Sequence, residues 1–482
     1  MTDATVILGL LAALVWLLLA SLHMRAAVWL LLLWIPVQGW FQLNVFDDSN
    51  LSVLIYEFQM VGLYLIFGVR ALNAPGQFGP PSMIRFAIPF VIWALLLVPY
   101  SVYETGLLPT LIGLRTFLLP LPLVWIGYRA FTTRRELESV TSLIALQLVL
   151  IAGLTVWQFT RVSSMSGAIF ETPLGYTTPG DIIRPPGTFS HVGSLGSYIL
   201  FSVPFTIGLL GMSAALWNRV CFVLGLAGTT IALVVNTQRA AIVLLALTLP
   251  LMVVLTRRGR AVTKMAVAVC VMAAAGWLVA DVAGDAFGRR VASISEDLNR
   301  TLYENPTLTL IDALRTPILG SGLGIASPGV GRVEGPANPS VWGGRAESIK
   351  WGEYFIAALV YETGVPGLVL FYLFLAAITY YSLKALRACR GTDMELLAAA
   401  LLAFQLAILI YSWPYSPLRT LPARVLYWFW AGVLLSLPRL AAAKPAVQES
   451  IAARRTPADR MAALITERLA QPHASGAQRR VG

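Results

Sequence analysis

Apolar residues in this chain come in runs of roughly twenty, parted by short polar loops, from the N-terminus almost to the end. A run of that length crosses a hydrocarbon core of about 30 Å as a helix that closes its backbone hydrogen bonds within itself. The pattern predicts thirteen spans, near 4 to 21, 27 to 43, 51 to 70, 85 to 103, 109 to 130, 139 to 159, 191 to 212, 219 to 236, 240 to 256, 264 to 281, 366 to 386, 395 to 413 and 420 to 438. The period-two alternation of a membrane β-barrel is absent. The expected fold is all-α: a polytopic bundle of about 12 to 13 transmembrane helices with one large outer loop.

Polar positions divide the chain further. Residues 1 to 160 form an N-terminal set of spans, and 161 to 281 hold spans preceded by arginine motifs. Residues 282 to 365 form the large loop, 366 to 440 the last spans, and 441 to 482 a basic tail. Within the large loop the periodicity predicts helices over about 289 to 304 and 307 to 315, then a Gly- and Pro-rich coil. A short interfacial helix over 351 to 361 is expected to break at Gly364, Pro366 and Gly367 before the next span begins. In the tail, 458 to 470 fits an amphipathic helix lying on the inner leaflet. There is no internal repeat of the kind that marks many secondary transporters.

Charge sets the orientation. Arg25, Arg70 with Arg85, Arg129 with Arg134 and Arg135, Arg219, Arg257 to Lys264, and Lys384 to Arg390 occupy alternate short loops, which are therefore cytoplasmic. The remaining loops carry Asp47, Asp48, Glu104, Glu171 and Asp181 and face outward, so the N-terminus is expected outside and the C-terminus inside. Only 12% of residues are charged, about half the usual soluble-domain share. The net charge of +11 lies largely in cytoplasmic loops and tail, where topology and anionic lipid account for it without nucleic acid. Asp3 and the lack of a basic leader make the first span a retained helix rather than a signal peptide. Cys221 and Cys270 lie in spans and Cys389 in a cytoplasmic loop, so no disulfide or metal spacing is expected.

Candidate chemistry gathers at outer helix ends. Arg184 opens Arg184-Pro-Pro-Gly-Thr-Phe189 ahead of one span, and Arg239 starts another. A guanidinium keeps its charge and offers paired donors that match a phosphate, so these two suit a diphosphate; the alternative is that each anchors a helix at the interface. Arg115, about six residues into its span, needs a polar cavity or a carboxylate, for which Glu57 and Glu104 are the candidates. His191 could serve as a base or a hydrogen-bond donor, or could only shape a helix start. Glu347 and Glu353 precede the interfacial helix and Glu362 lies on it. A carboxylate beside an arginine-bound diphosphate can take the proton of an attacking hydroxyl, and Glu353, between Trp351 and Tyr354, is the best placed. Gly320-Ser-Gly-Leu-Gly324 follows no predicted strand, so it is expected to be a flexible turn rather than a dinucleotide loop.

Four segments in order, Arg184-Pro-Pro-Gly-Thr-Phe189, Asn236-Thr-Gln-Arg239, Ala313-Leu-Arg-Thr-Pro-Ile-Leu-Gly-Ser-Gly-Leu-Gly324 and Glu362-Thr-Gly-Val-Pro-Gly367, resemble the O-antigen ligase and polysaccharide polymerase superfamily of bacterial inner membranes. The likeness covers roughly 180 to 375 by motif; the first 160 residues agree only as a run of spans. It implies a GT-C type glycosyltransferase whose large loop is periplasmic and covers the active cavity. Its members move a glycan from an undecaprenyl diphosphate carrier to a glycan, lipid or protein acceptor, without nucleotide, metal or other cofactor. It implies diphosphate-binding roles for Arg184 and Arg239, and a similar role for Arg300. Membrane lipid and a chain-length regulator are the further partners implied. Many ligases carry a His-Asn pair where this chain has Glu353-Tyr354, and some polymerase-like relatives carry Glu there, which weakens the implied lipid A core ligase assignment more than the transferase one and leaves polymerase and ligase both open. A flippase or secondary transporter of a lipid-linked or anionic solute is the alternative, but it gives no reason for an acidic loop of this size.

Overall fold

The computed structural model describes residues 14–44, 51–164, 176–178, 182–189, 192–212, 215–256, 259–280, 284, 287–288, 291–292, 304–327 and 354–454. Its principal helices are α1 (Met24–Trp34), α2 (Leu51–Asn73), α3 (Ile88–Leu96), α4 (Val98–Thr105), α5 (Leu107–Leu118), α6 (Leu123–Ala130) and α7 (Arg134–Ser164). There follow α8 (Val192–Met212), α9 (Leu216–Asn236), α10 (Arg239–Leu255), α11 (Gly259–Leu278), α12 (Asn305–Leu314), α13 (Phe355–Cys389), α14 (Glu395–Tyr411) and α15 (Ala423–Arg454).

Among the described residues seven helices are long and apolar enough to cross a membrane, and a pair bent by 42°, Ser82–Leu96 with Val98–Thr105, makes an eighth. Four shorter apolar helices, Met24–Trp34, Arg239–Leu255, Val262–Leu278 and Glu395–Tyr411, fall on expected spans. Breaks shorten or divide several runs. Pro36 follows α1, and the turn through Pro120 and Pro122 separates α5 from α6, because proline withholds an N–H and crowds the preceding turn. The helix expected near 307 to 315 is α12; that over 289 to 304 lies almost wholly outside the described residues, as does 458 to 470. The chain is a helical membrane protein, and its exposed large side chains, among them Leu65, Ile92, Leu150, Trp157, Val254, Trp277 and Leu373, form the surface that lipid would cover.

One departure from the all-helical expectation is a small antiparallel ribbon, β1 (Tyr176–Thr178) with β2 (Ile182–Arg184), in which Tyr176 pairs with Arg184. Threonine and isoleucine favour extended backbone, and Pro179-Gly180 between the strands supplies turn-forming residue types.

The centre of the bundle is α8, α14 and the first part of α15, all almost completely buried. In lipid no hydrophobic effect draws helices together, so close approach through small residues has to do it. Ala398, Ala399, Ala400, Ala403 and Ala407 give α14 a slim profile, and a Cβ on Gly208 of α8 would sit 2.8 Å from the Leu397 Cα. Gly127 of α6 and Gly432 of α15 interlock the same way: a Cβ on either would lie 2.0 Å from Phe429 O or 2.1 Å from Val124 O. Around these contacts Phe201 stacks on Phe205 and on Trp430, and Phe205 meets Trp430 tilted, with centroids 4.4 to 5.5 Å apart. Buried hydroxyls such as Thr141, Thr155, Ser202 and Thr229 donate to the carbonyl four residues back, so they cost little in an apolar interior.

Candidate functional site

The segment after β2 is pinned on every side. Gly187 adopts φ +64, and the Gln158 amide holds it twice: Gly187 N donates to Oε1 at 2.8 Å and Nε2 donates to Gly187 O at 2.9 Å. A side chain there would meet Thr155 Oγ1 at 2.8 Å, so only glycine fits this turn. Thr188 Oγ1 donates to Pro36 O at 2.5 Å, and Phe189 is buried against Tyr198. The backbone of Arg184, at the end of β2, is thus fixed beside a rigid turn.

The second arginine motif meets this turn directly. Asn236, the last residue of α9, donates from Nδ2 to Pro185 O at 3.0 Å. Two residues link it to Arg239, which opens α10 and is half-buried. One of them, Thr237, is left-handed at φ 54 and ψ 27, an outlier for a β-branched residue that costs on the order of 1–2 kcal/mol. Asn236 Oδ1, Thr237 Oγ1 and Gln238 Oε1 are buried without a hydrogen-bond partner among the described residues, and Gln238 packs against Gly196. The N-terminus of α10 already carries a positive partial charge, so Arg239 adds like charge at a place suited to an anion.

Two ion-paired clusters adjoin this node. In the first, the turn after α12 wraps Glu362: Gly324 N and Ala326 N donate to its carboxylate at 3.1 and 3.0 Å, and Ser327 Oγ reaches both oxygens at 3.2 Å. Arg419 Nη2 donates to Glu362 Oε1 at 2.5 Å and to Ser327 Oγ at 3.0 Å, with both charged side chains 0% exposed. Gly320, Gly322 and Gly324 all have positive φ, and a Cβ on Gly324 would lie 1.7 Å from Pro109 O. Ser321 N donates to Tyr361 O, Leu323 N to Ser101 Oγ, and Tyr100 Oη to Gly320 O, so the glycines give close packing on helix ends in place of the expected flexible turn. Gly364, at φ 69, makes the break expected in this helix.

In the second cluster Arg115 Nε lies 2.5 Å from Glu57 Oε1 as an ion pair. Arg424 Nη2 is 3.7 Å from the same oxygen. Glu57 is therefore the partner of Arg115, while Glu104 is exposed at the end of α4. Arg419 lies over the Phe117 ring, two residues from Arg115, and Ser194 Oγ of α8 donates to Leu421 O, between Arg419 and Arg424. Helix ends bearing Arg239, Arg115, Arg419 and Arg424 thus form one neighbourhood with the pinned Pro185–Phe189 turn.

Arg419 and Arg424 were missed from sequence, although two arginines at the head of an apolar run, with Glu57 and Glu362 inside other apolar segments, were the available signal. Glu347, Glu353, His191 and Arg300 lie outside the described residues, and only the backbone of Arg184 is described. Glu362 has its carboxylate satisfied by protein groups rather than turned to solvent. Among the described residues no three His, Cys, Asp or Glu side chains gather as metal ligands would. No protein-family model matches the chain, and no curated protein matches it.

Proposed function

We propose that this protein is a bacterial inner-membrane glycosyltransferase of the O-antigen ligase and polysaccharide polymerase superfamily, with its site on the periplasmic face. In this reading it transfers a glycan from undecaprenyl diphosphate to a glycan or lipid acceptor. One observation carries the reading: Asn236 ties the Arg184-bearing turn to the start of the Arg239 helix. Two cations far apart in sequence therefore issue from one braced node, and preorganised cations are worth most where a leaving group gathers charge. The superfamily resemblance of the motifs supports the same substrate class.

In the proposed step an acceptor hydroxyl attacks the anomeric carbon, the bond from that carbon to the diphosphate oxygen breaks, and the diphosphate leaves with the electron pair. Arg184 and Arg239 stabilise the charge on the leaving diphosphate, and the Glu353 carboxylate takes the hydroxyl proton. Helix α13 begins one residue after Tyr354, and Phe355 N donates to Tyr415 O at 3.1 Å, on the segment that leads to Arg419. This contact brings the chain next to Glu353 toward the arginine neighbourhood. Glu57 pairs with Arg115 and lies near Arg424, and Glu362 pairs with Arg419, which supports a fixed set of cations for this reading. Arg184→Ala and Arg239→Ala are each expected to abolish polymer transfer in cells, read as loss of the glycan ladder with normal membrane levels of protein. Near-normal ladders in either variant would refute the assignment. Carrier-linked glycan trapped on the cytoplasmic side of a null strain would favour a flippase instead.

A further inference from the structure

A second basic site lies at the helix ends that the Lys and Arg distribution assigns to the cytoplasm. A cavity of about 860 Å³ is lined there by His23, Arg25, Arg70, Arg129, Glu136 and Arg439, together with Leu22 and Trp29 among others. Four guanidinium groups face one carboxylate. That carboxylate is already engaged by Arg25 and by the N–H and hydroxyl of Thr132, at 2.9 and 3.1 Å. Arg129 spends two donors on Gly79 O at 3.0 Å, and Arg439 donates to Tyr128 O and Phe131 O at 3.1 Å. Both flank the Tyr128 ring, with guanidinium carbons 5.0 and 5.4 Å from its centroid. Carbonyls and a ring face orient these two arginines but do not neutralise them. Trp29 contributes a buried indole N–H without a hydrogen-bond partner among the described residues.

The surroundings are amphiphilic. Arg70 and Arg129 fall in the last turns of apolar helices, Arg25 in the first turn of another, and Arg439 near the end of the span Ala423–Ala442. Exposed Leu14, Leu18 and Leu22 recur every four residues on the helix before α1, so they share one face that runs to the rim of the cavity. Leu65, Val69 and Leu72 make a similar exposed stripe on α2 beside Arg70, which donates to Ser21 O at 2.9 Å and joins the two stripes.

We infer that this cavity binds the phosphate headgroup of an anionic phospholipid, with the acyl chains along the Leu14–Leu18–Leu22 and Leu65–Val69–Leu72 stripes. Basic pockets between helices at headgroup depth favour such lipids over zwitterionic ones, and the two apolar stripes favour a lipid over free phosphate. The inference is independent of the proposed transfer reaction.

Purified full-length protein would be equilibrated with vesicles of phosphatidylglycerol and cardiolipin or of phosphatidylcholine, and retained lipid read by native mass spectrometry. Preferential retention of the anionic lipids is expected, with a roughly thirtyfold loss of preference in Arg129→Gln/Arg439→Gln. The preference should be unchanged in Arg387→Gln, which removes an exposed charge on α13 outside the cavity. Should the double variant not fold, Arg25→Gln alters an exposed lining residue and is expected to lower the preference in the same direction. Equal loss in Arg387→Gln, an unchanged preference in the cavity variants, or displacement of lipid by millimolar inorganic phosphate would overturn the inference.

Discussion

Glu362 and Glu57 are both carboxylates buried among apolar helices, yet they meet their arginines on different terms. Glu362 receives two backbone N–H groups, a serine hydroxyl and Arg419, and its side chain and that of Arg419 are both 0% exposed. Glu57, 11% exposed, faces two arginines, one of them, Arg115, 32% exposed. One carboxylate balances one guanidinium and is itself ringed by hydrogen-bond donors. The other leaves a positive excess that reaches toward solvent. Burying a charge is tolerated only when pairing and hydrogen bonds replace its water. The Glu362 site therefore acts as a clamp that fastens the turn after α12 to α13, and the Glu57 site as a source of positive potential held in place.

The sharpest way to break this contrast is Glu362→Ala, which strips Arg419 of its carboxylate and frees the Gly324–Ser327 turn. A loss of about 3–5 kcal/mol is expected, the cost of leaving a buried charge uncompensated. A steep fall in the midpoint of thermal unfolding, followed by size-exclusion fluorescence, checks it; a shift of less than a few degrees would mean the pair is not a clamp. Glu57→Gln is expected to cost less, about 1–2 kcal/mol, because partly exposed Arg115 can recover water. The same unfolding assay tests the ordering, and a loss matching that of Glu362→Ala would erase the distinction. The surface pair Asp312–Arg315, with side chains 52% and 76% exposed, sets the floor: Arg315→Ala should change stability by no more than about 0.5 kcal/mol.

The fold was legible where the bilayer dictates it. A hydrocarbon core demands long apolar helices, so the spans stand out, and Gly364 declared its break because a glycine beside Val-Pro-Gly cannot extend a regular helix. The ribbon at Tyr176–Arg184 was not read, since strands of three residues carry too few alternations to show a period. Arg115 proclaimed itself as a charge inside a span and its partner Glu57 followed, whereas Arg419 sits 57 positions from Glu362 and looked like an ordinary helix-end arginine. The Gly320–Gly324 turn was read as flexible because glycine composition signals freedom; only the packing against Pro109, Ser101 and Tyr361 shows that freedom used to fit a tight space. What joins Arg184 to Arg239 is an asparagine amide reaching a proline carbonyl 51 positions away, a contact with no local pattern.

Equilibrium binding of undecaprenyl diphosphate to the purified protein tests the central claim most directly. The wild type should bind it, Arg184→Ala and Arg239→Ala should each weaken binding by about tenfold or more, as expected for losing a charged hydrogen-bonding partner, and Arg387→Gln, which removes an exposed charge outside both proposed sites, should bind as the wild type does. Undiminished binding in both the Arg184 and Arg239 variants would contradict the account.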